Sequence, residues 1–170
     1  MTTQVQKDLL ANNSSYAKQF DKGDLALPPA KGYLVVTCMD ARIDPSAALG
    51  IELGDAHVIR NAGGSAREAL RSIIISQQLL GTKEVVLVKH TGCGMLTFKN
   101  ADALAVVEKN LGEEAAKEVE GLDFLPFPEL DQAVKDDISY LRASKAVPDG
   151  IKFSGFVYDV STGRVREVAV

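Results

Sequence analysis

The stretch Tyr33-Leu-Val-Val-Thr-Cys-Met-Asp-Ala-Arg42 decides how this chain is read. An apolar run, Leu34 to Val36, stops on three reactive residues in alternation, Cys38, Asp40 and Arg42. A short β-type run ending this way predicts a buried strand that delivers chemistry at its C-terminal end. In open α/β sheets that end is where ligands bind. The pattern recurs at Glu84-Val-Val-Leu-Val-Lys-His-Thr-Gly-Cys-Gly94, a second buried strand ending on His90 and Cys93. Together the two ends use both cysteines of the chain.

Outward from these strands, helical and strand patterns alternate. Val5, Leu9, Leu10, Tyr16 and Phe20 are spaced for one apolar stripe, predicting a helix within 2–20. The poor helix formers Asn12-Asn13-Ser14-Ser15 predict a break at its centre. Residues 21–32 form a short connector, and 1–32 as a whole reads as an arm with little sheet of its own to cover. Pro45 opens a short helix and Gly50 ends it. A brief strand follows at 57–60. Ser65 and Glu68 suggest a capping box for a helix over 65–80, and Gly81 a stop. Further helices are expected at 101–117 and 130–146, and a loop with aromatic content at 121–128 reads as a pocket lid or an interface. A strand at 153–160, a turn at Ser161-Thr-Gly-Arg164 and a strand at 165–170 close the chain. The fold class is α/β: a mostly parallel central sheet flanked by helices, with an antiparallel C-terminal edge and an N-terminal helical arm. Parallel strands with crossovers bring the ends carrying Cys38 and His90 to one edge of the sheet, where they meet if the strands are neighbours.

At 170 residues the chain suits a single domain over 1–170. A formal charge of −4 and the lack of a basic cluster argue against a nucleic-acid partner. No run reaches the roughly 18 apolar residues of a membrane span. No basic segment followed by an apolar stretch marks the N-terminus as a signal peptide, so the expected location is cytoplasmic. There two cysteines serve as thiolates rather than as a disulfide framework.

Two thiolates and an imidazole are a preferred donor set for zinc, which is four-coordinate and leaves one position to fill. Asp40 is open to two readings: it closes the metal as fourth ligand, or it pairs with Arg42, whose planar fork holds a carboxylate in bidentate geometry. A redox pair Cys38–Cys93 is a further alternative, but it leaves His90, Asp40 and Arg42 without a task. A phosphate-binding cysteine loop at Cys93 is excluded, because it needs a closing arginine and the residue six positions on is Lys99. His57 is either structural or a proton relay. The glycines of Asn61-Ala-Gly-Gly64 permit close approach of backbone to a ligand, which marks Ala62, Gly63 and Gly64 as candidate substrate-pocket positions. Arg60, Arg67 and Arg71 read as surface or interface charges.

Cys38-Met-Asp-Ala-Arg42, His57-Val-Ile-Arg-Asn-Ala-Gly-Gly64 and His90-Thr-Gly-Cys93, in this order and at these separations, resemble the β-class carbonic anhydrases, and the likeness covers nearly the whole chain. The resemblance implies one Zn2+ per chain on Cys38, His90 and Cys93, Asp40 and Arg42 as the catalytic dyad, and a homodimer or dimer of dimers with sites near the subunit interface. It implies hydration of CO2 to bicarbonate, with carbonyl sulfide or CS2 hydrolysis on the same site as the alternative. A non-catalytic zinc- or anion-binding module, with Asp40 closing the metal, is the reading of another class. Ala41 stands where many relatives have serine, and the absence of tryptophan removes the basis for a tryptophan-lined bicarbonate pocket. Met95, Leu96 and Phe98 are the apolar candidates near the second strand end.

Overall fold

The computed structural model describes residues 2–170. Its centre is a five-stranded sheet in the order β2-β1-β3-β4-β5. These strands are β1 (Tyr33–Cys38), β2 (Ala56–Asn61), β3 (Glu84–His90), β4 (Lys152–Tyr158) and β5 (Val165–Val168). The first four run parallel, and β5 returns antiparallel beside β4. β1 and β3, the near-continuous apolar runs, lie side by side with Val36 opposite Leu87. Such runs belong to strands buried on both faces, and Val35, Val36, Leu87 and Val88 are all buried.

Helices α3 (Ala66–Gln78) and α6 (Leu130–Ala143) cover one face. Ala66, Ala69 and Ile73 of α3 and Val134, Ile138 and Leu141 of α6 pack there against Leu34, Val36, Val85, Leu87 and Val157. Gly155 permits the close approach of α6: a Cβ there would lie 2.4 Å from Val134 Cγ1. The opposite face is covered more thinly, with Val35, Ile51 and Val88 buried but Tyr33, Val86 and Phe156 only partly so. The short α2 (Pro45–Leu49) ends at Gly50 in the left-handed region, as its sequence predicts.

Four expectations are corrected. Helix α1 (Gln4–Ala17) runs unbroken through residues 12–15. A capping box secures its start, with Thr3 Oγ1 accepting from Gln6 N and Gln6 Oε1 from Thr3 N. The polar residues at its centre are exposed, so they cost only their propensity, a few tenths of a kcal/mol each. The helix expected at 101–117 is two, α4 (Asn100–Leu111) and α5 (Glu113–Val119), broken where Gly112 takes φ 95°. Helix α6 stops at Ala143, because Ser144 turns extended ahead of Pro148. At α3 only half of the expected capping box forms. Ser65 Oγ accepts from Glu68 N, but Ser65 N donates to Asn61 Oδ1 at 2.7 Å.

Candidate metal centre

β1 and β3 end together, and the chemistry is at those ends. Cys38 closes β1, His90 closes β3, and the left-handed Gly92 turns the chain so that Cys93 comes back beside them. One donor atom from each of the three lies within 4.8 Å of the others, and all three residues are buried. The condition left open by the sequence, that the two strands be neighbours, is met.

The donors are oriented as metal ligands are. His90 Nδ1 sits 3.0 Å from the carbonyl of Thr91, and donation to it leaves the lone pair on Nε2. That Nε2 is buried and has no hydrogen-bond partner in the protein. A buried polar atom without a partner is costly, and two sulfurs face the same point, so the residues fit a metal ion. The adjacent Cys93 thiol lowers the proton affinity of Cys38 against the opposing effect of burial. The Cys38 sulfur and burial push the Cys93 thiol up in turn. Burial alone would lower the His90 imidazole, but Cys38 raises it on balance. One proton is thus contested by adjacent sulfurs, the situation in which a cation displaces protons on binding.

Asp40 is paired with Arg42. Arg42 Nε donates to Oδ1 at 2.9 Å, its terminal nitrogen to Oδ2 at 2.7 Å, and its backbone N–H to Oδ1 at 2.9 Å. The same guanidinium reaches the Gly92 carbonyl at 3.0 Å, tying the pair to the loop that carries Cys93. The Arg42 side chain and backbone hold the Asp40 carboxyl well below the usual carboxylate range. Its Oδ2 stands 3.7 Å from His90 Nε2, beside the donors yet outside hydrogen-bond reach.

Two residues were not legible as site residues. Arg60, expected at a surface or interface, donates to the carbonyls of Cys38 at 3.0 Å and Asp40 at 2.7 Å, strapping the segment that carries both. Only the pairing of Thr37 with Arg60 across β1 and β2 reveals this. Lys89 is 2% exposed and donates inside the protein, to Gly63, Gly64 and Asp137. A lysine closing an apolar strand was the signal. Among the remaining candidates, Ala62, Leu96 and Phe98 pack against Cys38, Cys93 and Met95, forming an apolar wall beside the donors. Gly63 and Gly64 use their missing Cβ atoms within the protein: added carbons would lie 2.8 Å from Met95 Cγ and 2.9 Å from the Thr37 carbonyl carbon. Phe127, from the loop at 121–128, packs on the same turn. His57 bonds Ser76 at 2.7 Å and pairs opposite Leu34, four residues from the Asn61 that faces Cys38. At ~3.3 Å per strand residue that is remote from the donors, and its place is structural.

A parallel sheet presenting two thiols, an imidazole and an arginine-held carboxylate at one edge defines a metal-dependent α/β enzyme class. The family described as carbonic anhydrase matches residues 33–165, and the chain belongs to the β-carbonic anhydrases. It is 41% identical over 165 residues to "Beta-carbonic anhydrase 1" of Mycobacterium tuberculosis, covering 96% of this chain and 98% of that protein. A solved carbonic anhydrase from Glaciozyma antarctica superposes with a TM-score of 0.93 at 43% identity, over 99% of this chain and all of the other. A carbon disulfide hydrolase of Acidianus is 31% identical over 172 residues, covering 89% of this chain and 83% of that protein. Among the described residues no helix is long and apolar enough to cross a membrane.

Proposed function

We propose that this chain hydrates CO2 to bicarbonate and a proton, with one zinc ion held by Cys38 Sγ, His90 Nε2 and Cys93 Sγ. The observation that carries the reading is the placing of Asp40 Oδ2 3.7 Å from His90 Nε2 while Arg42 grips both carboxylate oxygens. Zinc held by these residues would lower the pKa of a water bound to it from 15.7 to about 7. Asp40, ionised throughout the working range, accepts a hydrogen bond from the reacting water and aims its lone pair at the carbon of CO2. Arg42 keeps the carboxylate from turning to the metal. Ala62, Met95, Leu96 and Phe98 supply an apolar wall suited to a small linear substrate, and Gly63 and Gly64 shape it through the turn they form.

A second reading keeps the site and changes the substrate: hydrolysis of CS2 or carbonyl sulfide, releasing hydrogen sulfide. The carbon disulfide hydrolase likeness favours it, and so does the apolar wall. The discriminating experiment measures kcat/KM for CO2 hydration and for sulfide release from each sulfur substrate on one zinc-replete preparation. CO2 hydration is expected to lead. Efficient sulfide release with negligible CO2 hydration would reverse the assignment, and inactivity on all three with zinc bound would leave the binding-module reading standing.

The proposed unit is a single domain that dimerises through its N-terminal arm, residues 1–32. Helix α1 has no buried residue, and Val5, Leu9, Leu10 and Tyr16 are all exposed. Sulfurs that must stay reduced to hold a metal suit a reducing compartment, so the cytoplasm is the proposed location.

A further inference from the structure

Lys89 is an ammonium buried in the sheet with every proton assigned. Alternation along β3 places it with Val85 and Leu87 on the face that α3 and α6 cover. Its Nζ reaches Gly63 O at 3.0 Å, Gly64 O at 3.3 Å and Asp137 Oδ2 at 2.8 Å. A lysine has three donors, and these are three acceptors. The Phe127 ring lies 4.8 Å from the same nitrogen. Asp137, from α6, is itself buried and also accepts from the backbone N–H of Ala66 at 3.2 Å.

The turn Ala62–Gly64 that Lys89 grips touches two of the three donor segments. Gly64 lies so close to Thr37 and Cys38 that a Cβ would come within 2.9 Å of the Thr37 carbonyl carbon and 3.1 Å of Cys38 N. Gly63 abuts Met95, two residues beyond Cys93. The third donor, His90, is the next residue after Lys89 in the chain. Gly63 and Gly64 both hold positive φ, so the turn has no preferred fallback that a non-glycine backbone would impose. With the carbonyls of Gly63 and Gly64 both drawn to one ammonium, the turn is held where Gly64 lies against Thr37 and Cys38.

We infer that Lys89, anchored by Asp137, is a positioning residue of the metal centre: it locks the Ala62–Gly64 turn against Cys38 and so sets the place of that ligand and its hold on the metal. This rests on the zinc reading. Partners behind the ligands of a metal site change metal affinity by about 10- to 100-fold when removed. Removing Lys89 also leaves the Asp137 carboxylate buried without its counterion. Loss of general stability must therefore be separated from loss of ligand positioning.

The test compares wild type, Lys89→Met, Asp137→Asn and Val134→Ala, the last a core change on the same helix that lowers Tm without touching the turn. Each is loaded with Co2+ and with Zn2+. The sulfur-to-cobalt absorption and the half-time of zinc transfer to a chelator are then read. In Lys89→Met the band shifts, because the Cys38 sulfur is no longer held in its place by the turn, and zinc leaves about 10- to 100-fold faster. Asp137→Asn, which keeps an acceptor for Lys89, moves both readouts the same way by a smaller factor and serves where Lys89→Met does not fold. Val134→Ala leaves both unchanged despite its lower Tm. If the Lys89 and Asp137 variants track Val134→Ala, with an unshifted band and release within twofold, the positioning role is overturned. If wild type takes up neither ion, it is the zinc reading that fails, and this inference falls with it.

Discussion

The metal edge of the sheet and the N-terminal arm solve the same problem by opposite means. At the metal edge, charges are answered inside the chain: Asp40 by Arg42, Lys89 by Asp137 and two carbonyls. His90 Nε2, like Thr37 Oγ1, has no partner within the described residues, and it is the atom the proposed metal needs. In the arm, the backbone is answered by its capping box, but the apolar side chains are not. Tyr16 and Phe20 find each other, with ring centroids 5.6 Å apart, and Val5, Leu9 and Leu10 remain exposed. A pattern of residues states a need; whether the same chain or another copy meets it depends on where the fold carries that segment.

The contrast is broken most severely at Cys93. Cys93→Ser removes a sulfur donor, and chelator-resistant zinc, read by elemental analysis, should fall below one-tenth per chain. Activity should drop by more than the ~100-fold that partners of ligands command. Sedimentation should still show the association state of wild type, since the arm is untouched. Zinc retained at wild-type stoichiometry would remove Cys93 from the site.

Arg42→Ala comes next. Zinc should stay bound while kcat falls about a hundred- to a thousandfold, the scale of about 2.7–4 kcal/mol seen when a preorganised charge-stabilising donor is lost. Activity within twofold of wild type would refute the dyad. The pair has a pH signature as well. Because the folded Asp40 carboxyl lies below its unfolded value of about 3.9, its ion pair stabilises the fold fully above that pH and ceases to do so as pH falls through the folded value. In metal-free protein, the Tm gap between wild type and Arg42→Ala should therefore be open at pH 6 and close toward strong acid. A gap independent of pH would assign it to packing.

In the arm the expected effect is on association. Leu9→Ala removes from each of the two chains an apolar side chain whose full burial is worth about 1.5–3 kcal/mol, so the dimer should weaken by roughly 100-fold or more. Zinc content should be unchanged. Sedimentation equilibrium checks this against the 18.2 kDa chain mass. A wild-type chain that stays monomeric and active would overturn the dimer itself.

The smallest effect is local. Asn12→Ala, at an exposed position in α1, should raise stability by about half a kcal/mol or less through propensity alone, read as a rise in Tm. A fall would show that Asn12 meets a partner residue, and so would place the interface on that side of the helix.

What could be seen in the sequence and what could not divides along similar lines. The strands β1 and β3 were legible because burial on both faces leaves unbroken apolar runs, and the donors because cysteine and histidine at strand ends are chemically conspicuous. The break at Gly112 was hidden, since Ala, Val and Leu continue a helical rhythm on either side of it. The continuity of α1 through 12–15 was obscured by residue types whose cost is small once they face water. Arg60 could not be read at all, and Lys89 only as a cation oddly placed near the end of an apolar strand. One acts across strand register and the other through α6, 48 residues further on, and neither relation exists in one dimension.

The parallel register of β1 on β3 has a consequence for errors in folding. Successive side chains of a strand point to opposite faces, so a slip by one residue exchanges every inward side chain for an outward one. Here the last two positions of β3 are Lys89 and His90. A slipped strand would offer a cation where the imidazole belongs and would turn the imidazole toward Asp137. The misaligned sheet could still hydrogen-bond along its length, but it would no longer gather the three donors at one point. A metal bound as proposed would therefore favour the aligned register, because affinity and register are two readings of one geometry.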